Sequence, residues 1–277
     1  MPAHIAAGGD SMDLELGGRV ALITGASRGI GAGIARKLAA AGCDLMLTAR
    51  DTKALAGVAG DVRALGRKVA VHVADLTAGE EPARLIEALA AEFGRLDMLI
   101  NNAGAVKRGD FFQLTDQDWS DGFNLKLFAH VRLCRLAWPR LKAAAGSVVF
   151  IAGIGARAPV ADYTIGSSVI GASIAFMKAL ADLGKRDGIQ INAINPGSVD
   201  TDRFRHRLAL IMRKTGLDEA AAIEHHRREL DIIRFGTTED VAELVRFVVS
   251  PRGRWLHGTA IDVDGGQVVP LRMSGYD

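Results

Sequence analysis

One segment governs what this chain can fold into. Arg19 to Thr24 is a short, mostly apolar run that breaks into the glycine-rich turn Thr24-Gly25-Ala26-Ser27-Arg28-Gly29-Ile30-Gly31, after which Ile30, Ile34, Ala35 and Leu38 recur at helical spacing as far as Gly42. Strand, turn and helix are written in order, and the order repeats. Asp44 to Thr48 reads as a strand, Thr52 to Leu65 as a helix, Lys68 to Val73 as a strand, and Ala83 to Phe93 as a helix with Leu85, Ile86 and Leu89 on one face. Alternation of this kind predicts an α/β fold with a doubly wound parallel sheet and helices on both faces. Strands buried on both sides account for continuous apolar runs in place of alternating ones.

The same reading continues with a strand at Leu96 to Ile100, a long helix at Trp119 to Leu141 and a strand at Ser147 to Ile151. A second long helix follows at Tyr163 to Leu183, then strands at Ile189 to Ile194 and Ala260 to Val263. Between the last two strands, Leu208, Ile211, Met212 and Ile223 are spaced as in amphipathic helices. Residues 202–235 are therefore expected to form a helical lid over the carboxyl edge of the sheet. No repeat or Pro/Gly/Ser-rich linker divides the 277 residues, so one domain spanning 1–277 is expected, with 1–15 a loose N-terminal extension and Met12 an equally natural beginning to the fold.

Composition narrows the function classes. Lys plus Arg (34) nearly balance Asp plus Glu (32), and the densest basic stretches, Arg203 to Arg207 and His225 to Arg228, are short and flanked by apolar or acidic residues as on helix faces. Nucleic acid is thus not an expected partner. No run approaches the roughly 18 apolar residues of a membrane span; the richest, Val169 to Leu180, is short and interrupted by Lys178, so no membrane partner is expected either. Cys43 and Cys134 have no metal-ligand spacing and read as buried thiols of a reducing, cytoplasmic compartment. His225 and His226 are adjacent, point in different directions on a helix and lack a second His or Cys at i+4; they read as a solvated helix face, and no metal is expected.

The glycine turn carries the first chemistry. Glycines there let backbone approach a pyrophosphate while the amides at the helix N-terminus point at its charge, and the strand-turn-helix context makes this a dinucleotide site and not merely a tight turn. The residue that separates NAD from NADP is expected about 20 positions further on, at the end of the second strand. The sequence has Ala49-Arg50 there, not an acid, and Arg28 in the turn adds a second cation. Each charge-assisted bond to the extra phosphate is worth about 1.5 to 3 kcal/mol, so two together favour NADP by a hundredfold or more. NADP(H) is the expected cofactor and NAD(H) the alternative, should Asp51 instead of Arg50 face the ribose.

From Leu16 to Val269 the sequence resembles the short-chain dehydrogenase/reductase family, whose turn is TGxxxGxG. Asp75-Leu76 follows the third strand, where the family places an aspartate near adenine. Asn101-Asn102-Ala103-Gly104 is similar to its NNAG. Asn195-Pro196-Gly197-Ser198-Val199-Asp200-Thr201 resembles its NPGxVxT, and Val263-Asp264-Gly265-Gly266 its closing VDGG. The resemblance implies a Rossmann-type domain in which Gly25, Ser27, Arg28, Gly29, Ile30, Gly31, Arg50, Asp75, Leu76, Asn102, Ala103, Gly104, Tyr163, Pro196, Gly197, Val199 and Thr201 meet the cofactor. It also implies a homo-oligomer, dimer or tetramer, with Trp119 and Trp138 on a helix that packs against a partner subunit.

The family's reaction uses Ser, Tyr and Lys, with Asn on the preceding long helix. Asn124 matches the last and would hold a proton-relaying water; Tyr163 matches the acid. Where the family has YxxxK, this sequence reads Tyr163-Thr164-Ile165-Gly166-Ser167, and Gly153 stands in place of the serine. Ser167 could contact ribose but supplies no charge to lower the tyrosine pKa from near 10, and each unit not lowered withholds about 1.4 kcal/mol. Lys107, Arg108 and Arg157 are nearby cations whose positions read as exposed loop charges. The expected function is an NADP-dependent oxidoreductase acting on a ketone or secondary alcohol, similar to 3-oxoacyl or carbonyl reductases, with Tyr163, Asn124 and Ser167 as its catalytic set. The alternative is a catalytically impaired dinucleotide-binding protein serving as sensor or subunit partner.

Overall fold

A computed structural model describes residues 14–267. Seven strands, β1 (Val20–Thr24), β2 (Asp44–Ala49), β3 (Val69–Val73), β4 (Met98–Asn101), β5 (Ser147–Ile151), β6 (Gln190–Pro196) and β7 (Ala260–Val263), form one sheet in the order β3-β2-β1-β4-β5-β6-β7, every pairing parallel. The order reverses between β1 and β4, which opens a crevice at the carboxyl ends of those strands. Successive residues of β1 point to opposite faces: Ala21 and Ile23 join one buried apolar cluster and Leu22 the other.

Helices α1 (Gly29–Ala40) and α2 (Thr52–Ala64) cover the first face, together with α9 (Thr238–Val248), an element the sequence reading did not anticipate. Helices α3 (Glu81–Phe93), α5 (Ala129–Ala143) and α6 (Thr164–Asp187) cover the second. The long helix expected from Trp119 is interrupted: α4 (Asp116–Phe123) passes through a π turn at Asn124–Phe128 before α5 begins. Helices α7 (Asp202–Thr215) and α8 (Glu219–Leu230) fill the segment before α9, and α7 fully buries only Leu208.

Several expectations are corrected. Leu14 and Leu16 are buried in the first cluster, so the packed structure starts inside the supposed extension; residues 1–13 lie outside the described ones. β3 is an edge strand whose Val71 and Val73 are exposed, unlike the interior strands. α6, with the turn preceding it, is long and apolar enough to match a membrane span by length and composition, but its face of Ile165, Val169, Ile170, Met177 and Ala181 is buried within the fold. His226 is buried against Phe235, with ring centroids 5.7 Å apart, instead of lying on a solvated face. Among the described residues there is no group of three or more His, Cys, Asp or Glu able to hold a metal.

One buried polar knot anchors the bottom of the sheet. Asp97 is 2% exposed, accepts Val20 N–H at 2.9 Å and binds the Arg95 guanidinium at 2.6 and 2.9 Å. Asp97→Ala strands that amide without a partner, and we expect a loss of about 2 kcal/mol in urea unfolding with the slope unchanged.

Candidate active site

The carboxyl edge of the sheet carries a cleft of about 840 Å³ that runs from the β1–α1 turn to the start of α6. Its size lies within the range of small-molecule sites. Residues from the ends of β1, β2, β4, β5 and β6 line it, as expected for crevices at a point of strand-order reversal.

At one end the glycine turn presents the N-terminus of α1, with Arg28 at the N-cap and no side-chain cap over the first amides. Those amides and the helix dipole remain available to an anion. A Cβ on Gly31 would run into the Gly25 carbonyl and the Asn102 amide, so the turn closes this tightly only with glycine. Asn102 Nδ2 fastens it from below, donating to Thr24 O at 2.9 Å and Gly25 O at 3.1 Å, while Thr24 Oγ1 accepts from Asn102 N and Ala103 N.

At the end of β2, Arg50 lines the cleft, is largely exposed and lies 3.7 Å from Asp75. Burial alone would raise the Asp75 carboxyl, but bonds from Thr77 N and Oγ1 and the nearby Arg50 outweigh it and hold the pKa below its ordinary value. Asp51, the residue that could have reversed the phosphate argument, accepts Ala54 N–H at 3.0 Å as the cap of α2. That bond commits one of its carboxylate oxygens to the helix.

The other end is built around Tyr163, the residue before α6. Its ring rests on Gly166, where any side chain would collide, and the Arg108 guanidinium lies over it at 4.0 Å from the centroid. Burial raises the phenol pKa above its ordinary value, with Arg203 and Arg108 pulling the other way. The phenol is therefore protonated at neutral pH. Gly153 lines the cleft at φ +103°, a backbone conformation that strains any other residue, so a serine is not readily accommodated there.

The structure gathers Gly25, Ser27, Arg28, Gly29, Ile30, Gly31, Arg50, Asp75, Leu76, Asn102, Ala103, Gly104, Tyr163, Pro196, Gly197 and Thr201 on this one cleft. Three expected residues lie off it. Asn124 lines a separate shallow depression with Trp119, Phe123 and Phe128. Ser167 Oγ is buried without a hydrogen-bond partner and its side chain does not line the cleft. Val199 is buried and pairs with Gly236 beyond the end of β6. Of the loop cations, Lys107 pairs with Asp118 and Arg157 with Asp262, while Arg108 reaches the cleft bound to Asp162.

Two residues that sequence reasoning missed stand at the tyrosine end. Lys126, on the π turn, is 8% exposed and donates from Nζ to Ile151 O at 3.3 Å; burial, and then Arg203, bring its pKa down to about 8. Arg203, from the first turn of α7, donates to the Gly104 carbonyl. One helical turn beyond Lys126, His130 Nε2 bonds Ala103 O at 2.9 Å, and burial, followed by Lys126, lowers its pKa to about 3, so it is neutral. The signal for Lys126 was a lone charge in Leu125-Lys126-Leu127-Phe128, inside a helix expected to be buried on that side.

A family profile described as short chain dehydrogenase matches residues 19–209. Hydroxynaphthalene reductase arp2 of Aspergillus fumigatus is 31% identical over 88% of this chain and 90% of its own length. The 3-oxoacyl-[acyl-carrier-protein] reductase FabG of Escherichia coli K12 is 30% identical over 90% of this chain and 97% of its own. Among solved structures, L-sorbose reductase from Gluconobacter frateurii, complexed with NADPH and L-sorbose, superposes with a TM-score of 0.90 at 31% identity, covering 94% of this chain and all of that one. A short chain dehydrogenase from Burkholderia cenocepacia J2315 in complex with NADP gives 0.83 at 34% identity, covering 92% and 99%.

Proposed function

Because the chain belongs to the short chain dehydrogenase family, we propose that it is an NADP(H)-dependent oxidoreductase that moves a hydride between nicotinamide and a ketone or secondary alcohol. The observation that carries this reading is a single cleft with two cationic residues, Arg28 and the largely exposed Arg50, at one end and a half-buried, protonated Tyr163 at the other. The residues fit the dinucleotide. Amides without a side-chain cap at the start of α1 suit a diphosphate, glycine at position 31 lets the turn close tightly over Gly25 and Asn102, and the two guanidiniums suit the extra phosphate.

When bound, NADPH supplies the hydride. Tyr163 gives its phenolic proton to the carbonyl oxygen as the carbon is reduced, and regains a proton from solvent afterwards. Because burial keeps the phenol protonated, reduction proceeds at neutral pH without prior activation, whereas oxidation needs the tyrosinate and is favoured only in alkali. Thr201 beside Gly29, and Pro196 with Gly197, suit the nicotinamide end. In this reading the family's YxxxK is departed from at Ser167, and Asn124 and Ser167 leave the catalytic set. Helices α7 and α8 act as the lid, with Arg203, Arg207 and Leu230 facing the cleft. Exposed Phe128 and Leu136 on the α4–α5 side support a dimer or tetramer through that face.

The test is a panel of 3-oxoacyl thioesters, ketoses and aromatic ketones followed by NADPH absorbance. We expect turnover of at least one class, faster with NADPH than with NADH at equal subsaturating concentration. Tight NADPH binding with no oxidation across the panel would replace the enzyme by a dinucleotide-binding protein.

A further inference from the structure

The tyrosine end of the cleft holds a buried ammonium with no carboxylate partner among the described residues. Lys126 reaches it from the π turn, and its one hydrogen bond among the described residues goes to a main-chain carbonyl, Ile151 O. Arg203 on α7 adds a like charge, Arg108 over the Tyr163 ring is already bound to Asp162, and His130 on α5 is neutral. An ammonium withdrawn from water without a counter-charge is strongly disfavoured, so a fold that keeps one there has a use for it once the site fills.

We propose that Lys126 is the cationic residue of the reacting centre, supplying from the α4–α5 side of the cleft what Ser167 on α6 cannot: hydrogen bonds to the nicotinamide ribose hydroxyls and positive charge beside the phenolate left on Tyr163. This rests on the reading of the cleft as an NADP(H) site. Three features support it. A Cβ on Gly104 would stand 3.1 Å from Lys126 Nζ, so the absence of a side chain there leaves the ammonium open to the path between the glycine turn and Tyr163. An ammonium has three N–H donors and this one spends one, leaving two for an incoming group. Finally, Ser173 Oγ on α6, bonded to Val169 O at 2.8 Å, stands 3.2 Å from the Lys126 carbonyl, so the main chain of the π turn is packed on α6 while the ammonium head stays free to change partner.

Lys126→Met, a substitution of similar length without the charge, separates this role from packing. NADPH affinity is read by fluorescence titration between pH 7 and 9.5, beside thermal melts of each variant. We expect wild-type affinity to weaken with rising pH as the ammonium is lost, and Lys126→Met to bind about tenfold more weakly at pH 7 and to show a flat profile. Lys126→Arg should keep most of the affinity. In the double variant Lys126→Met/Ser167→Lys, a lysine supplied from α6 should restore part of both affinity and pH dependence. Wild-type affinity and pH dependence in Lys126→Met would overturn the proposal, as would a loss that follows a lowered melting temperature and is not recovered by Lys126→Arg. A panel without turnover, combined with the expected NADPH titrations, would remove the reductase reading and with it the charge beside the phenolate, and leave standing the contact of Lys126 with the nicotinamide ribose; a wild-type protein that binds no NADPH removes both.

Discussion

Tyr163→Phe lowers the rate of ketone reduction by about 10² to 10⁴-fold while NADPH affinity changes little, because the substitution deletes one proton and leaves the ring in place. The ring is held by packing, with Gly166 beneath and Arg108 above, and neither contact needs the hydroxyl. Burial sets the pH dependence. It raises the phenol pKa against the pull of Arg203 and Arg108, so the acid form persists from neutral pH into mild alkali and reduction shows no loss over that range from this group. Oxidation of the product alcohol rises with pH over the same range. Steady-state rates in both directions, measured with wild type and Tyr163→Phe, check this; a variant that retains wild-type turnover removes Tyr163 from the chemistry.

The double variant Arg28→Ala/Arg50→Ala weakens NADPH binding by about a hundredfold and leaves NADH binding nearly unchanged, since two charge-assisted bonds to one phosphate are lost. The structure sharpens this expectation. Asp51, which lies beside Arg50 and would repel a phosphate, has its carboxylate engaged by the first turn of α2, and Arg50 is drawn toward Asp75 without being buried by it. Calorimetric titration with both coenzymes gives the ratio directly. An equal loss for NADPH and NADH would mean that the guanidiniums hold the common diphosphate and do not select the extra phosphate.

The sheet and the glycine turn were legible because they follow from periodicity and from close backbone approach. Arg19 to Thr24 followed by Gly25 to Gly31 admits few other foldings, and sixteen residues expected at the cofactor site do meet on one cleft. The misses have a common origin in helix phase. Asn124 was placed by its match to a motif, but which side of a helix a residue faces depends on the turn it occupies, and a π turn does not announce itself in composition. Lys126 was passed over for the complementary reason: a lysine inside a helix reads as a solvent-facing charge until tertiary structure surrounds it. Ser167 was positioned correctly on α6, but a hydroxyl on so short a stem stays within the helix packing. Helix α9 lacked a motif, although its capping box, Thr237 with Asp240, is plain once seen.

The π turn at Asn124–Phe128 has a consequence for how such a protein can change. It holds one residue more than the α turn it replaces, so a single deletion within it would let the helix close regularly with its two halves in phase, whereas a deletion elsewhere in α4 or α5 would rotate one half against the other by about 100°. Either Lys126 would swing away from the cleft, or Leu133, Cys134 and Ala137 would swing out of the core. Point exchanges at the tyrosine end are thus open to gradual adjustment, whereas insertions and deletions in this helix outside the π turn are all-or-none events.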